Sequence, residues 1–160
     1  MKLIPLSQGK FAKVDDADFE WLSQWRWNAH KEGKTYYAIR QIRTGKRPPP
    51  TRPAVRMHRE ILGLKHGDGI TGDHKNGDGL DNRRSNLRKC TKSQNTMNSD
   101  RKKGKYGFRG IDKTPHGKFN ARIWIDGKKK HLGAFSTASE AGECYKKAAK
   151  KIFGDFYRNQ

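Results

Sequence analysis

The sequence predicts an α+β protein built from two small modules. Three observations predict it: β-rich segments in the first half, a Gly-, Asn- and Asp-rich stretch at 70–98 between short strand signals, and strands followed by a well-capped helix near the end. A polar run at 93–105 has no apolar periodicity. We therefore place a domain boundary near residue 100, with one domain over 1–100 and the other over 101–160.

Charge points to a polyanionic partner. The chain of 160 residues has 36 Lys and Arg against 16 Asp and Glu, a formal net charge of +20, and the basic residues are spread over both modules. A membrane surface would also attract this charge, but the sequence lacks a basic amphipathic helix with a strong apolar face and a lipidation signal. With no signal-peptide pattern and no apolar run of about 20 residues, we expect a cytoplasmic protein without membrane contact.

Cysteine usage argues against a disulfide framework and a structural zinc. Cys90 and Cys144 are isolated, and the sequence has no C-x-x-C pair. We expect two reduced, packed thiols.

The first module is expected to begin with a helix within 14–27, capped by one of its aspartates. The β-rich segments 35–42 and 54–58 predict a strand pair. Between them, 43–53 contains three consecutive prolines and four basic residues, which predicts a basic loop without regular hydrogen-bonded structure.

The stretch 70–98 predicts the functional site. It suggests a strand that ends at Asp73 and His74, a loop rich in Gly and Asn, a short strand near 87–90, and a helix capped by Thr91. Such a density of Asp, His and Asn is unusual for a structural segment. The alternative is a plain polar turn, since these residues are common in turns.

This stretch resembles the HNH family, in its zinc-free phage and intron-encoded homing endonuclease branch. The residues that match the family pattern are Asp73, His74, Asn76, Gly77, Asn82, Asn86, Leu87, Arg88, Thr91 and Asn95. The resemblance implies a ββα-metal fold, in which a hairpin and a helix enclose one divalent ion.

The resemblance also implies a role for each central residue. His74 would be the general base that deprotonates the attacking water. Asp73 and Asn95 would bind a single Mg²⁺ or Mn²⁺, and Asn86 would hold the loop and so orient His74. His58 and Arg59 resemble the segment that often precedes this motif, and two alternatives stay open for them: contact with a DNA phosphate, or packing and surface exposure.

The second module is expected to be a three-stranded antiparallel sheet packed on one helix. Alternating residues from Phe119 to Ile125, a turn at Asp126-Gly127 and a return strand to Phe135 predict the hairpin. Thr137 and Glu140 form the capping-box pattern of the helix. Its expected apolar face consists of Ala141, Cys144, Tyr145, Ala148 and Ile152.

Residues 106–157 resemble the APETALA-two, or ethylene response factor, DNA-binding domain, in pieces such as Tyr106–Ile111 and His131–Ala141. With the predicted turn, one face of the sheet is apolar and the other basic and aromatic. The resemblance implies that this second face docks in a major groove. The candidate DNA-binding residues there are Arg109, Lys118, Arg122, Trp124, Lys129 and His131.

Together these observations predict a metal-dependent endonuclease that hydrolyses phosphodiester bonds in double-stranded DNA, as a site-specific homing or nicking enzyme. One catalytic module per chain favours a monomer that nicks, and no small-molecule cofactor is expected. The alternative is a non-catalytic DNA-binding regulator that uses the HNH fold as a scaffold. A third hypothesis is an RNA-binding or RNA-cleaving protein, which is compatible with the net charge of +20.

Overall fold

A computed structural model describes residues 1–42, 54–65, 67–99 and 104–158 of the chain. It divides into two compact units, Met1–Cys90 and Thr91–Gln160. The basic loop expected at 43–53 and the domain boundary expected near residue 100 lie outside the described residues. No helix in the described part of the chain combines the length and apolar character that crossing a membrane requires.

The first unit contains three antiparallel sheets and two short α-helices among its described residues. The elements are β1 (Lys2–Pro5), β2 (Phe11–Val14), α1 (Asp16–Ser23), β3 (Asn28–Glu32), β4 (Thr35–Gln41), β5 (Ala54–Arg56), α2 (Met57–Ile61), β6 (Thr71–His74) and β7 (Leu87–Cys90). β1 and β2 form a hairpin, β3, β4 and β5 form a sheet in that order, and β6 pairs with β7.

The predicted helix and strand pair of this unit are present. The N-cap of α1 is Asp15, but its side chain makes no capping hydrogen bond; its Oδ2 instead accepts from the backbone N–H of Arg84 at 2.8 Å. β4 and β5 pair antiparallel as expected. The sequence analysis did not predict the β1–β2 hairpin or β3, which pairs with β4.

One apolar core joins most elements of the first unit. Its buried residues are Ile4, Ala12, Val14, Leu22, Trp27, Ala38, Met57, Ile61 and Leu87. Leu87 belongs to the strand β7, so the hairpin that carries the candidate site packs on the same core as the N-terminal strands.

The second unit has the predicted architecture, a three-stranded antiparallel sheet packed on one long helix. Its elements are α3 (Lys92–Asn98), β8 (Ile111–Lys113), β9 (Phe119–Ile125), β10 (Lys128–Phe135) and α4 (Ala138–Phe153), and the strand order is β10-β9-β8. Both α3 and α4 begin with a capping box, formed by Thr91 with Gln94 and by Thr137 with Glu140. The predicted α+β fold class is confirmed.

The β9–β10 hairpin has the expected turn and register. Asp126 and Gly127 have φ of 47° and 79°, the left-handed conformations that a two-residue turn needs. Trp124 is opposite Lys129 and Arg122 is opposite His131, as predicted.

The buried face of α4 differs by part of a turn from the one we expected. Ala141 and Tyr145 are buried as predicted, and the face continues through Ala149 and Phe153. Ile152, expected on this face, is 39% exposed. A period of four residues from Ala141 to Phe153 explains the difference, since it favours Phe153 over its neighbour.

Candidate active site

Asp73 and His74 lie at the end of β6, where the chain enters the loop of residues 75–86. In the β6–β7 register Asp73 is opposite Arg88, and His74 is opposite Leu87. Asp73 and His74 are each only 5% exposed. A hairpin packed on the apolar core therefore holds both groups, which limits their motion.

Asn86 ties the two ends of that loop together. Its Oδ1 accepts from the backbone N–H of Asn76 at 3.1 Å, and its Nδ2 donates to Asn76 Oδ1 at 3.0 Å and to the Asp81 carbonyl at 2.8 Å. Gly77 has a φ of 77°, a conformation that favours glycine in the tight turn after Asn76. This geometry suits the loop-holding role expected of Asn86.

His74 sits in a buried pocket with two other rings. Its ring centroid is 4.8 Å from that of His58 and 5.8 Å from that of Tyr37. His74 Nε2 lies 3.2 Å from Asn82 Oδ1. Burial lowers the pKa of His74 below its ordinary value, while the hydrogen bond to Asn82 and the nearby carboxylates oppose that shift. The imidazole is therefore neutral at neutral pH, the form that can accept a proton.

Asp73 is paired across the hairpin with Arg88. The Arg88 Nε donates to Asp73 Oδ2 at 2.7 Å, and the Arg88 side chain is only 13% exposed. The pair compensates the cost of burying a carboxylate next to an apolar core. The ion pair thus holds the Asp73 carboxylate in a fixed position.

Carboxylate and amide oxygens are suitable ligands for a hard divalent cation such as Mg²⁺. Asp73 supplies a carboxylate, and Asn95 would supply an amide oxygen. In the described ranges, no group of three or more His, Cys, Asp or Glu residues could surround a metal ion. An ion here would have few protein ligands and keep several waters, as Mg²⁺ commonly does. Asn95 lies on α3, which belongs to the second unit, and its pairing with Asp73 stays a prediction.

The structure places His58 and Arg59 in different surroundings. His58 is 4% exposed, and burial, together with the neighbouring His74 and the positive charges of Arg56 and Arg59, lowers its pKa to about 2. Packing is therefore the alternative that the geometry favours for His58. Arg59 donates to the carbonyls of Lys65 and Ile70, at 2.6 and 3.1 Å, and so fastens the chain that leads into β6.

Sequence reasoning gave no role to Asn82, Arg88 or Tyr37, although all three contact the central pair. Asn82 and Arg88 were part of the matched pattern, and that pattern was the available signal for them. Tyr37 lies in a β-rich segment whose alternation predicts only a strand. Its approach to His74 depends on the packing of β4, which no local pattern encodes.

The candidate DNA-binding residues of the second unit fall into two groups. Lys118, Trp124, Lys129 and His131 are exposed, and the Lys129 ammonium lies 5.9 Å from the Trp124 ring centroid. Arg122 is half-buried and pairs with Asp112 at 3.2 Å. Arg109, expected at the surface of the sheet, is half-buried instead, and its guanidinium donates to the carbonyls of Met97 and Ser99.

Comparison with known proteins agrees with this geometry. Residues 55–97 match the model of the HNH endonuclease family. The chain is also 27% identical, over 158 residues, to an uncharacterized HNH endonuclease of Acanthamoeba polyphaga mimivirus, a match that covers 96% of this chain and 76% of the viral protein. No solved structure matches the chain.

The segment that matches the HNH family model runs from β5 into α3 and contains the Asp73–His74 pair. The resemblance of residues 106–157 to the APETALA-two domain has no support from these comparisons and stays a prediction. In that part of the chain the structure has the three-stranded sheet β8–β10 packed on α4.

Proposed function

We propose that this protein is a metal-dependent endonuclease that hydrolyses phosphodiester bonds in double-stranded DNA. The observation that carries the proposal is the buried Asp73–His74 pair at the end of β6, inside a segment that matches the HNH endonuclease family. The named viral relative supports the same reading.

His74 is the general base in this proposal. Burial keeps its imidazole neutral, so a ring nitrogen can accept a proton from a water beside the scissile phosphate. As the water oxygen bonds to phosphorus, the bond to the 3′ oxygen breaks, and the leaving oxygen takes a proton from solvent. Asn86 contributes by holding the loop that follows His74.

Asp73 and Asn95 would hold one Mg²⁺ or Mn²⁺. Such an ion, when bound, supplies charge that stabilises the phosphate and the leaving oxygen. Arg88 orients the Asp73 carboxylate, so that this ligand is in place before the ion arrives.

Binding to DNA would rest on charge first. With a net charge of +20, the protein gains affinity for any duplex by releasing counterions, without reading sequence. The exposed residues Lys118, Trp124, Lys129 and His131 offer a second surface that could set register. One HNH domain per chain favours a monomer that nicks one strand at a defined site, as a homing or nicking enzyme would.

Supercoiled plasmid provides the direct test. Wild type, His74→Ala and the control His30→Ala are incubated with plasmid in Mg²⁺, in Mn²⁺ and in EDTA, and binding of the same DNA is followed by gel shift. His30 is an exposed histidine of the same unit, so its replacement controls for a lost imidazole. We expect wild type and His30→Ala to produce nicked circles with metal only, and His74→Ala to bind DNA without cutting it.

Two results would contradict the proposal. Equal cutting by His74→Ala would remove the base from the mechanism. Tight binding without cutting, in either metal and on DNA from a range of sources, would favour the non-catalytic regulator.

A further inference from the structure

We propose that Asn82 is the positioning residue of His74: its side-chain oxygen sets the tautomer and direction of the imidazole, and the N-terminal elements of the chain hold Asn82 in place. This inference rests on the proposed role of His74 as the base. It also assigns a role to β2 and α1, which lie outside the segment that matches the HNH family.

The first step is the contact itself. Asn82 is fully buried, at 0% exposed, and its Oδ1 lies 3.2 Å from His74 Nε2. An amide oxygen only accepts hydrogen bonds, so this contact requires the hydrogen of the imidazole to be on Nε2. The lone pair of the neutral ring is then on Nδ1, which makes Nδ1 the atom that takes the proton.

The second step concerns the other end of the same amide. Within the described residues, the buried Asn82 Nδ2 has no hydrogen-bond partner. A buried donor without a partner costs stability, so the Asn82 side chain is a poor choice for packing alone. The Asn82 amide contributes the hydrogen bond to His74. The functional gain from a base held in its working orientation offsets the stability lost through the unsatisfied Nδ2.

The third step is the hold on the Asn82 backbone. Its N–H donates to the Lys13 carbonyl at 2.8 Å, and the Lys13 N–H donates to the Leu80 carbonyl at 2.8 Å. Two residues further on, the Arg84 guanidinium makes two 2.7 Å hydrogen bonds to the carboxylate of Asp18. β2 and α1 therefore fix the main chain on both sides of Asn82.

Asn86 does not duplicate this role. The side-chain hydrogen bonds of Asn86 go to Asn76 and to the Asp81 carbonyl, all within the loop. Asn86 therefore shapes the loop, whereas Asn82 reaches the ring of His74 directly.

Imidazole nitrogen NMR on the whole protein, without metal or DNA, reads the tautomer directly. The chain has six histidines, and the spectrum of His74→Ala assigns the signal of His74. Asn82→Leu removes the acceptor at similar volume, Asn82→Asp keeps an oxygen in the same place, and Asn28→Leu repeats the first change at an exposed position of the same unit. Thermal unfolding verifies that each variant is folded.

We expect the Nε2–H tautomer in wild type, Asn82→Asp and Asn28→Leu, and a population of the Nδ1–H tautomer in Asn82→Leu. In the plasmid assay, Asn82→Leu should lower kcat roughly 10- to 100-fold with little change in KM or DNA affinity, and Asn82→Asp should recover part of the loss. A wild-type His74 in the Nδ1–H form would overturn the inference, as would an Asn82→Leu protein with an unchanged tautomer and kcat.

The two readouts separate this inference from the proposed function. If wild type cuts no DNA, the proposed function fails, while the spectrum still decides whether Asn82 sets the tautomer. If Asn82→Leu does not fold, the spectra of wild type and Asn82→Asp decide the question.

Discussion

Replacing Gly79 with Ala tests whether the loop of residues 75–86 packs on β4 as the structure has it. A Cβ at Gly79 would lie 2.4 Å from the carbonyl oxygen of Tyr36 and 2.8 Å from two ring atoms of Tyr37. Because the first neighbour is backbone, the clash cannot be relieved by a side-chain rotation. Overpacking of this kind costs about 1–3 kcal/mol.

Urea unfolding measures this cost. With a slope of about 2 kcal/mol per M, the midpoint should fall by about 0.5–1.5 M. Three of the four tryptophans, at positions 21, 25 and 27, lie in the first unit, so their fluorescence reports its unfolding. Displacement of the loop should also lower the rate of plasmid nicking.

Gly33→Ala is the matched control. Gly33 has a φ of 60° and nothing within 4 Å of an added Cβ, so alanine there costs only backbone strain, about 1 kcal/mol. It should leave nicking unchanged. If Gly79→Ala unfolds at the wild-type urea concentration and nicks at the wild-type rate, the loop does not pack against Tyr36 and Tyr37 as described.

Three further predictions follow from buried pairs and an exposed ring. Arg84 holds the pKa of Asp18 below its ordinary value, so this pair stabilises the fold above the unfolded-state pKa, near 3.8, and loses its effect as the pH falls through the lower folded-state value. Asp18→Asn should therefore lower the urea midpoint at pH 7 but much less near pH 3, and an equal loss at both pH values would contradict this. Arg88→Met leaves the buried Asp73 carboxylate without its guanidinium partner, so the melting temperature should fall, and added Mg²⁺ should raise it less than it does in wild type because the ligand is no longer oriented. An identical Mg²⁺ response in both proteins would show that Arg88 does not prepare Asp73 for a metal ion. Trp124, 55% exposed, should be replaceable by Ala with unchanged melting temperature and weaker duplex binding in a gel shift; unchanged binding would remove the β9–β10 face from the DNA surface.

Elements with strong local signals were predictable from the sequence. The helix α4 has its capping box at Thr137, and the β9–β10 hairpin has Asp126-Gly127 between alternating residues. Both signals lie within a few residues of the structure they specify. The pairs that they imply, Trp124 with Lys129 and Arg122 with His131, are those of the structure.

The β1–β2 hairpin and β3 were missed because their signals are weak. β1 has four residues and ends in Pro5, and β3 has the polar sequence Asn28–Glu32, in which Ala29 alone is buried. Strands this short are stabilised by pairing with partners and by core packing more than by their own propensity.

In the candidate site, too, residues of the local motif were predictable and contacts from distant elements were not. The motif located Asp73, His74 and Asn86, and the geometry of Asn86 suits the role expected from it. The surroundings of His74 were beyond prediction because His58 and Tyr37 come from other elements. The exposure expected for Arg109 was wrong for a similar reason. Its guanidinium donates to carbonyl groups at the end of α3, and alternation along a strand does not predict such a contact.

Contacts between the loop of residues 75–86 and the N-terminal elements indicate how much of the chain must be present for the candidate site to fold. Backbone groups of residues 79–84 form hydrogen bonds with the Lys13 backbone, the Asp15 carboxylate and the Thr35 hydroxyl. Thr35 is 44 residues from Gly79 along the chain, and Asp15 is 69 residues from Arg84. Residues 55–97, which match the HNH family, contain none of these partners. A peptide limited to that segment would lose the hydrogen bonds that fix Asn82 and four of the partners that bury its core, Ile4, Val14, Leu22 and Trp27. Small segments of about 40 residues seldom fold without such support. We therefore expect the N-terminal elements to belong to the proposed catalytic unit, because they supply hydrogen bonds that hold the loop next to His74.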